Sequence, residues 1–167
     1  MLLLTFFTVK YSLIMSIKQL FTTFTITILL SLQVTACGDL VENRLYQKQS
    51  EYSFEDTLLN LDIAIAEHNY RIIHRSHIGQ AVRDRGETGF PLSTITSFCN
   101  ITYAREMMDI NPDLINDMPC NIAVREESNG VIVSTKLMQT NTPFPRQNKF
   151  ASKINTNLTS IIESTIE

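Results

Sequence analysis

Three cysteines, Cys37, Cys99 and Cys120, are the residues of this chain best suited to chemistry. Cys99 stands directly before Asn100, a residue type that caps helices, so its thiol falls beside a helix N-terminus. There the helix dipole and unpaired amides favour a thiolate and lower its pKa. Cys99 is therefore the candidate functional thiol. Cys120 alternates with Ile122 and Val124 on one apolar strand face, which marks it as a small structural side chain. In an exported chain two cysteines also invite a disulfide. A Cys99–Cys120 bridge would close the loop between them and add about 3 kcal/mol on the chain-entropy account. A disulfide and two separately buried, reduced thiols both stay open. No Cys-x-x-Cys is present, which disfavours thioredoxin-type exchange. Met107, Met108 and Met118 lie near these cysteines in sequence and offer soft sulfur of the kind that selects Cu(I). Methionine at helical spacing ordinarily fills a core, so neither a metal nor a cofactor is expected.

The remaining polar candidates have plainer readings. His74 and His77 form His-x-x-His, but on a strand residues three apart point to opposite faces and cannot share one ion. His68 suits a helix C-terminus, where a partly charged imidazole meets the dipole. Tyr70, Arg71, Arg75, Arg83, Arg85 and Arg105 would serve an anion pocket, although such residues more often form a solvated face with the 17 acids. There is no Gly-x-Ser-x-Gly, phosphate loop or dinucleotide fingerprint, so no catalytic signature names an enzyme.

Cys37 has a different setting. Lys18 precedes an uncharged, mostly apolar run, Leu20 to Val34, and small residues lead up to the cysteine. That order describes a secretory signal. Val34-Thr35-Ala36-Cys37 resembles the lipobox of bacterial lipoproteins, in which the cysteine is diacylated by palmitate-type chains and becomes the first mature residue. Residues 1–36 are thus expected to be a signal peptide, with residues 1–14 either upstream of a true start at Met15 or an extension of the leader. The rival, an uncleaved anchor, is disfavoured because a span usually needs about 20 apolar residues and this run is short and Thr-rich. Gly38 rather than Asp follows the cysteine, which resembles lipoproteins passed to the outer membrane of a Gram-negative host. Lys10 and Lys18 lie in the leader with no acid, leaving 12 basic against 17 acidic residues, a net charge of −5. So acidic a domain is a poor match for nucleic acid. It also lacks a polybasic patch for lipid headgroups, so the acyl anchor would hold the membrane.

The 131 residues from Cys37 onward (167 less the 36 ahead) suffice for one domain. Residues 37–52 are expected to be a lipidated N-terminus and tether running into a first strand around Leu45–Glu51, and residues 53–167 a single domain. Ser53, Glu55 and Asp56 mark a helix start, and Phe54, Leu58, Leu61 and Ile65 form one apolar stripe. Asn69 suits its left-handed end. Strands are expected at Tyr70–Ile78, Ser93–Phe98, Asn121–Glu126 and Val131–Met138, the last two joined through Ser128-Asn129-Gly130. A short helical turn fits Gly79–Gly86, a helix Ile101–Asp109, and a last amphipathic helix carries Phe150, Ile154, Leu158, Ile161 and Ile162. The order β-α-β-β-α-β-β-α argues an α+β fold, a mostly antiparallel sheet with helices on one face.

Phe98-Cys99-Asn100, Tyr103-Ala104, Met118-Pro119-Cys120-Asn121 and Ile122–Glu126, with Ile78-Gly79, Arg83 and Gly86 upstream, resemble the family known as domain of unknown function 302. The resemblance runs from about Ser53 to Ile162. It implies a small α+β fold of the TATA-binding-protein-like class, with a homodimer as one option, and no activity. Ile101 departs from it, since many relatives place Pro there.

Together these features point to a lipid-anchored domain of the bacterial envelope facing the periplasm. Its expected role is non-catalytic binding of a small ligand or an envelope protein. The alternative is a thiol-redox or metal-binding protein acting through Cys99 and Cys120. An enzyme using a pocket around Cys99 and Arg105 ranks last.

Overall fold

The computed structural model describes residues 44–167; the expected signal peptide, the expected lipidation at Cys37 and the start of the expected tether fall outside them. Five strands, β1 (Leu45–Ser50), β2 (Arg71–Ser76), β3 (Ser93–Cys99), β4 (Cys120–Glu127) and β5 (Gly130–Lys136), form one sheet in the order β1-β5-β4-β3-β2. Every neighbouring pair is antiparallel. Four helices accompany them: α1 (Phe54–Glu67), α2 (Ile78–Arg83), α3 (Ile101–Ile110) and α4 (Pro145–Ile166). A 3-10 helix, Pro112–Asp117, follows α3. The expected α+β sheet with helices packed on one face is what forms. Among the described residues no helix is long and apolar enough to cross a membrane.

Local chemistry explains the elements. Ser53 caps α1: its Oγ accepts from the Asp56 amide at 3.1 Å. At the other end Asn69 turns left-handed at φ 60°, the amide of Tyr70 donates to Ile65 O (3.0 Å), and that of Asn69 to Ala66 O (2.9 Å). These paired bonds make a Schellman closure, which satisfies otherwise orphaned carbonyls. In the β4–β5 hairpin, Glu127 pairs with Gly130, and the positive φ falls on Gly130 (132°) rather than on Asn129. The turn residues are thus Ser128 and Asn129.

Alternation along the strands builds the core. Phe98 lies opposite Cys120, Thr96 opposite Ile122 and Thr94 opposite Val124, all on the face that the long helices cover. Leu61 and Ile65 from α1 and Ile154, Leu158, Ile161 and Ile162 from α4 close over them. The helical stripes therefore bury where their spacing requires. Burying each such aliphatic side chain contributes about 1.5–3 kcal/mol before the cost of ordering it. The opposite sheet face is mixed, with the exposed Ile95 beside Ser97, Asn121 and Arg125, and Arg125 reaching Ser134 Oγ at 3.0 Å across it.

Candidate functional site

At one end of the sheet β3 stops at Cys99 and β4 begins at Cys120, while the chain between them forms α3 and the 3-10 helix. A cavity of about 250 Å³ opens there. Tyr103, Ala104 and Met107 of α3 form one wall, and Phe150, Ile154 and Leu158 of α4 form the floor. Met118 and Pro119, joined by a cis peptide bond, lead into β4. Leu137 and Met138 line the cavity where the chain leaves β5. The rim is polar, with Arg44, Asn116, Asp117 and Lys136.

Asn100 fixes the position of the α3 wall. Its Oδ1 accepts from the amides of Thr102 (2.9 Å) and Tyr103 (3.1 Å), and its Nδ2 donates to Asn69 O at 2.8 Å. The cap of α3 is thereby tied to the end of α1. That same α1 end delivers Tyr70, which packs edge-on against Phe98 with ring centroids 5.3 Å apart and lies 5.8 Å from the Tyr103 ring. Tyr70 Oη accepts from Asn157 Nδ2 at 3.0 Å, leaving its own proton to donate. Burial pushes its pKa up to about 12, partly offset by Asn157, so it is a neutral donor at physiological pH.

Both Cys99 and Cys120 line this cavity, half-buried and as free thiols. Cys120 lies on the covered face, as its alternation with Ile122 and Val124 requires. Burial first, and then the nearby Cys99, push its thiol up to about 11. Cys99 corrects the expectation of a lowered pKa. It is the last residue of β3, burial raises its pKa, and the side chain of Asn100 takes the first-turn amides that would have stabilised a thiolate.

The sulfur-bearing side chains gather differently from their sequence order. Met107 and Met118 line the cavity, but Met108 is exposed on the outer side of α3. Met138 joins them instead. Sequence alternation extended β5 through Met138, whereas the strand ends at Lys136. The backbone of Met138 is satisfied by one side chain of α4: Asn155 Oδ1 accepts from its amide (2.8 Å) and Asn155 Nδ2 donates to its carbonyl (2.9 Å). Nothing in the local pattern announces that substitution of helix for strand partner.

The other sequence candidates do not converge. His68 meets Ala64 O, His74 meets Ser76 Oγ, and His77 meets Thr94 Oγ1. Arg75 pairs with Asp62, Arg83 with Glu126 and Arg105 with Asp109, on separate parts of the surface. Of that group only Tyr70 reaches the cavity. Among the described residues no group of three or more His, Cys, Asp or Glu is placed to hold a metal ion.

An antiparallel sheet covered by helices on one face, with a cavity at the β3–β4 connection, defines a small α+β domain. The chain belongs to the family of domain of unknown function DUF302, whose model matches residues 46–165. A crystal structure described as the uncharacterized conserved protein DUF302 from Bacillus stearothermophilus has the same fold. It superposes with a TM-score of 0.65 at 15% identity, covering 73% of this chain and 98% of that one. No curated protein matches the chain.

Proposed function

We propose that this is a lipid-anchored domain of the bacterial envelope that binds a small ligand without transforming it. The observation that carries the reading is the cavity of about 250 Å³ beside α3. Pockets that hold small molecules are concave, mostly apolar, and furnished with a few placed polar groups. Here Met107, Phe150, Ile154 and Leu158 supply apolar wall, the Tyr70 hydroxyl supplies a donor, and Arg44 and Lys136 supply positive charge at the rim. Burial raises both thiols rather than activating them, and no histidine lines the cavity to serve as their base, so binding fits the site better than catalysis. The anchor rests on Val34-Thr35-Ala36-Cys37 at the end of the leader. In a Gram-negative host Gly38 favours the outer membrane over the inner, with the domain facing the periplasm.

An aromatic sulfonate dye whose fluorescence rises in apolar surroundings tests the cavity, since its ring suits the floor and its charge the rim. The chain should bind one dye saturably. Ala104→Trp, which projects bulk into the cavity, should abolish that binding while circular dichroism still shows a folded domain. Binding undiminished in a folded Ala104→Trp variant would place the dye elsewhere and remove the proposal.

A further inference from the structure

We infer that the cavity is a binding site for a soft monovalent metal ion, Cu(I), with Cys99 and Cys120 as thiolate ligands and one or two thioethers drawn from Met107, Met118 and Met138 completing its shell. This rests on the proposed ligand-binding role of the cavity and names its occupant. Six sulfur-bearing side chains occur among the described residues, and five of them line this one cavity; only Met108 does not. Those five arrive from separate places: the end of β3, α3, the 3-10 exit, the start of β4 and the chain after β5. Methionine often serves as core filler. Filler, however, closes space, and these five side chains border a void large enough to admit a guest.

The donor set selects the metal. Thioether sulfur beside two thiolates favours Cu(I): zinc also takes thiolate but completes its tetrahedron with further thiolate, imidazole or carboxylate, and harder ions want oxygen. No histidine lines the cavity, its one carboxylate is Asp117 at the rim, and no three-residue cluster of hard or borderline ligands stands among the described residues. Charge is consistent as well. On binding, each ligating thiol releases its proton to solvent and copper stays Cu(I), with no electron moved. Two thiolates and one Cu(I) carry a net charge of −1. Arg44 and Lys136 line the same cavity, and neither has a carboxylate partner among the described residues.

The test uses the full chain carrying Cys37→Ser, so that only these two thiols remain, kept reduced in detergent without oxygen. Cu(I) is offered as its coloured bathocuproine disulfonate complex. The chain should withdraw one copper, and X-ray absorption at the copper edge should report a shell of sulfur alone. Cys99→Ser and Cys120→Ser should each weaken retention by at least about 100-fold, the upper end of what losing even an outer-shell partner costs. Met118→Leu should weaken it by about tenfold, and Met108→Leu should leave it unchanged. Should the cysteine variants misfold, Ag(I) added to the otherwise unaltered protein serves instead. It should shift the NMR methyl signals of Met107, Met118 and Met138 and leave that of Met108 in place.

A folded protein with two titratable thiols that withdraws no copper overturns the inference. So does retention untouched by both cysteine variants, or a shell of nitrogen and oxygen. If the sulfonate dye still saturates a copper-refusing cavity, the metal falls and the ligand-binding role stands. If the dye fails too, both fall.

Discussion

Asn100 Nδ2 donates to Asn69 O at 2.8 Å, so one side chain both caps α3 and clamps it to the C-terminus of α1. The cavity wall carried by α3 is therefore held by the element that delivers Tyr70. Replacing Asn100 with Ala removes the cap and the clamp together, and should cost about 1–2 kcal/mol in denaturant unfolding. Asn100→Asp keeps the capping oxygen but loses the Nδ2 donor. It should recover most of the stability, and whatever deficit remains measures the clamp.

Cys120 sits opposite Phe98 on the face shared with Ile122 and Val124, all three of which are fully buried. Cys120→Ala should therefore cost on the order of 1–2 kcal/mol, as a small buried group is lost and a cavity is left. Cys99→Ala, at the strand end, should cost less. If the two form a disulfide in the isolated protein, the costs become equal and neither thiol alkylates without a reductant.

The direction of both thiol shifts fixes a pH dependence. Burial keeps each thiol protonated in the fold beyond its ordinary range, Cys120 to about 11 from 9.0. Above the unfolded value the unfolded chain binds fewer protons than the folded one, so stability falls as pH rises. The contribution is whole below pH 9 and is lost by about pH 11. Unfolding midpoints measured across that interval should decline, and the decline should be shallower in Cys120→Ala. Alkylation near pH 7 should be slow at both positions, with Cys99 the faster.

Gly79, in the first turn of α2, packs against the segment that enters β3. A Cβ there would lie 2.3 Å from Pro91 O and 2.5 Å from Ser93 N, both backbone atoms that cannot turn aside. Gly79→Ala should thus destabilise by about 1–3 kcal/mol, as overpacking does, whereas Gly89→Ala, with open space around it, should not. Thermal unfolding of the two variants provides the comparison.

Membrane attachment has its own test. The intact mass of membrane-extracted protein should match a chain that begins at acylated Cys37, and removing residues 1–14 should leave export unchanged. An unmodified terminus at Met1 or Met15 would contradict the lipidated form.

Local periodicity made most of the fold legible. The stripe from Phe54 to Ile65, the cap at Asn100, the left-handed Asn69 and the buried face of α4 each follow from spacing or turn chemistry within a few residues. The 3-10 helix at Pro112–Asp117 went unseen because six residues carry too little pattern. The site was legible only in part, for a physical reason. Cys99, Cys120, Met107 and Met118 stood out by residue type. Met138, by contrast, enters the cavity because Asn155 of α4 replaces its strand partner, a contact across 17 positions of sequence. The acidity of Cys99 is not legible from its position alone, because the same Asn100 that marks the helix start also consumes its amides.

Methionine methyl NMR tests the binding cavity most directly, since four reporters are already in place. On titration of the full chain with the aromatic sulfonate dye, the Met107, Met118 and Met138 signals should move together and saturate at one equivalent. That of Met108, on the exposed side of α3, should stay fixed. Movement of Met108 alone, or none among the three, would contradict a ligand-binding cavity at this end of the sheet.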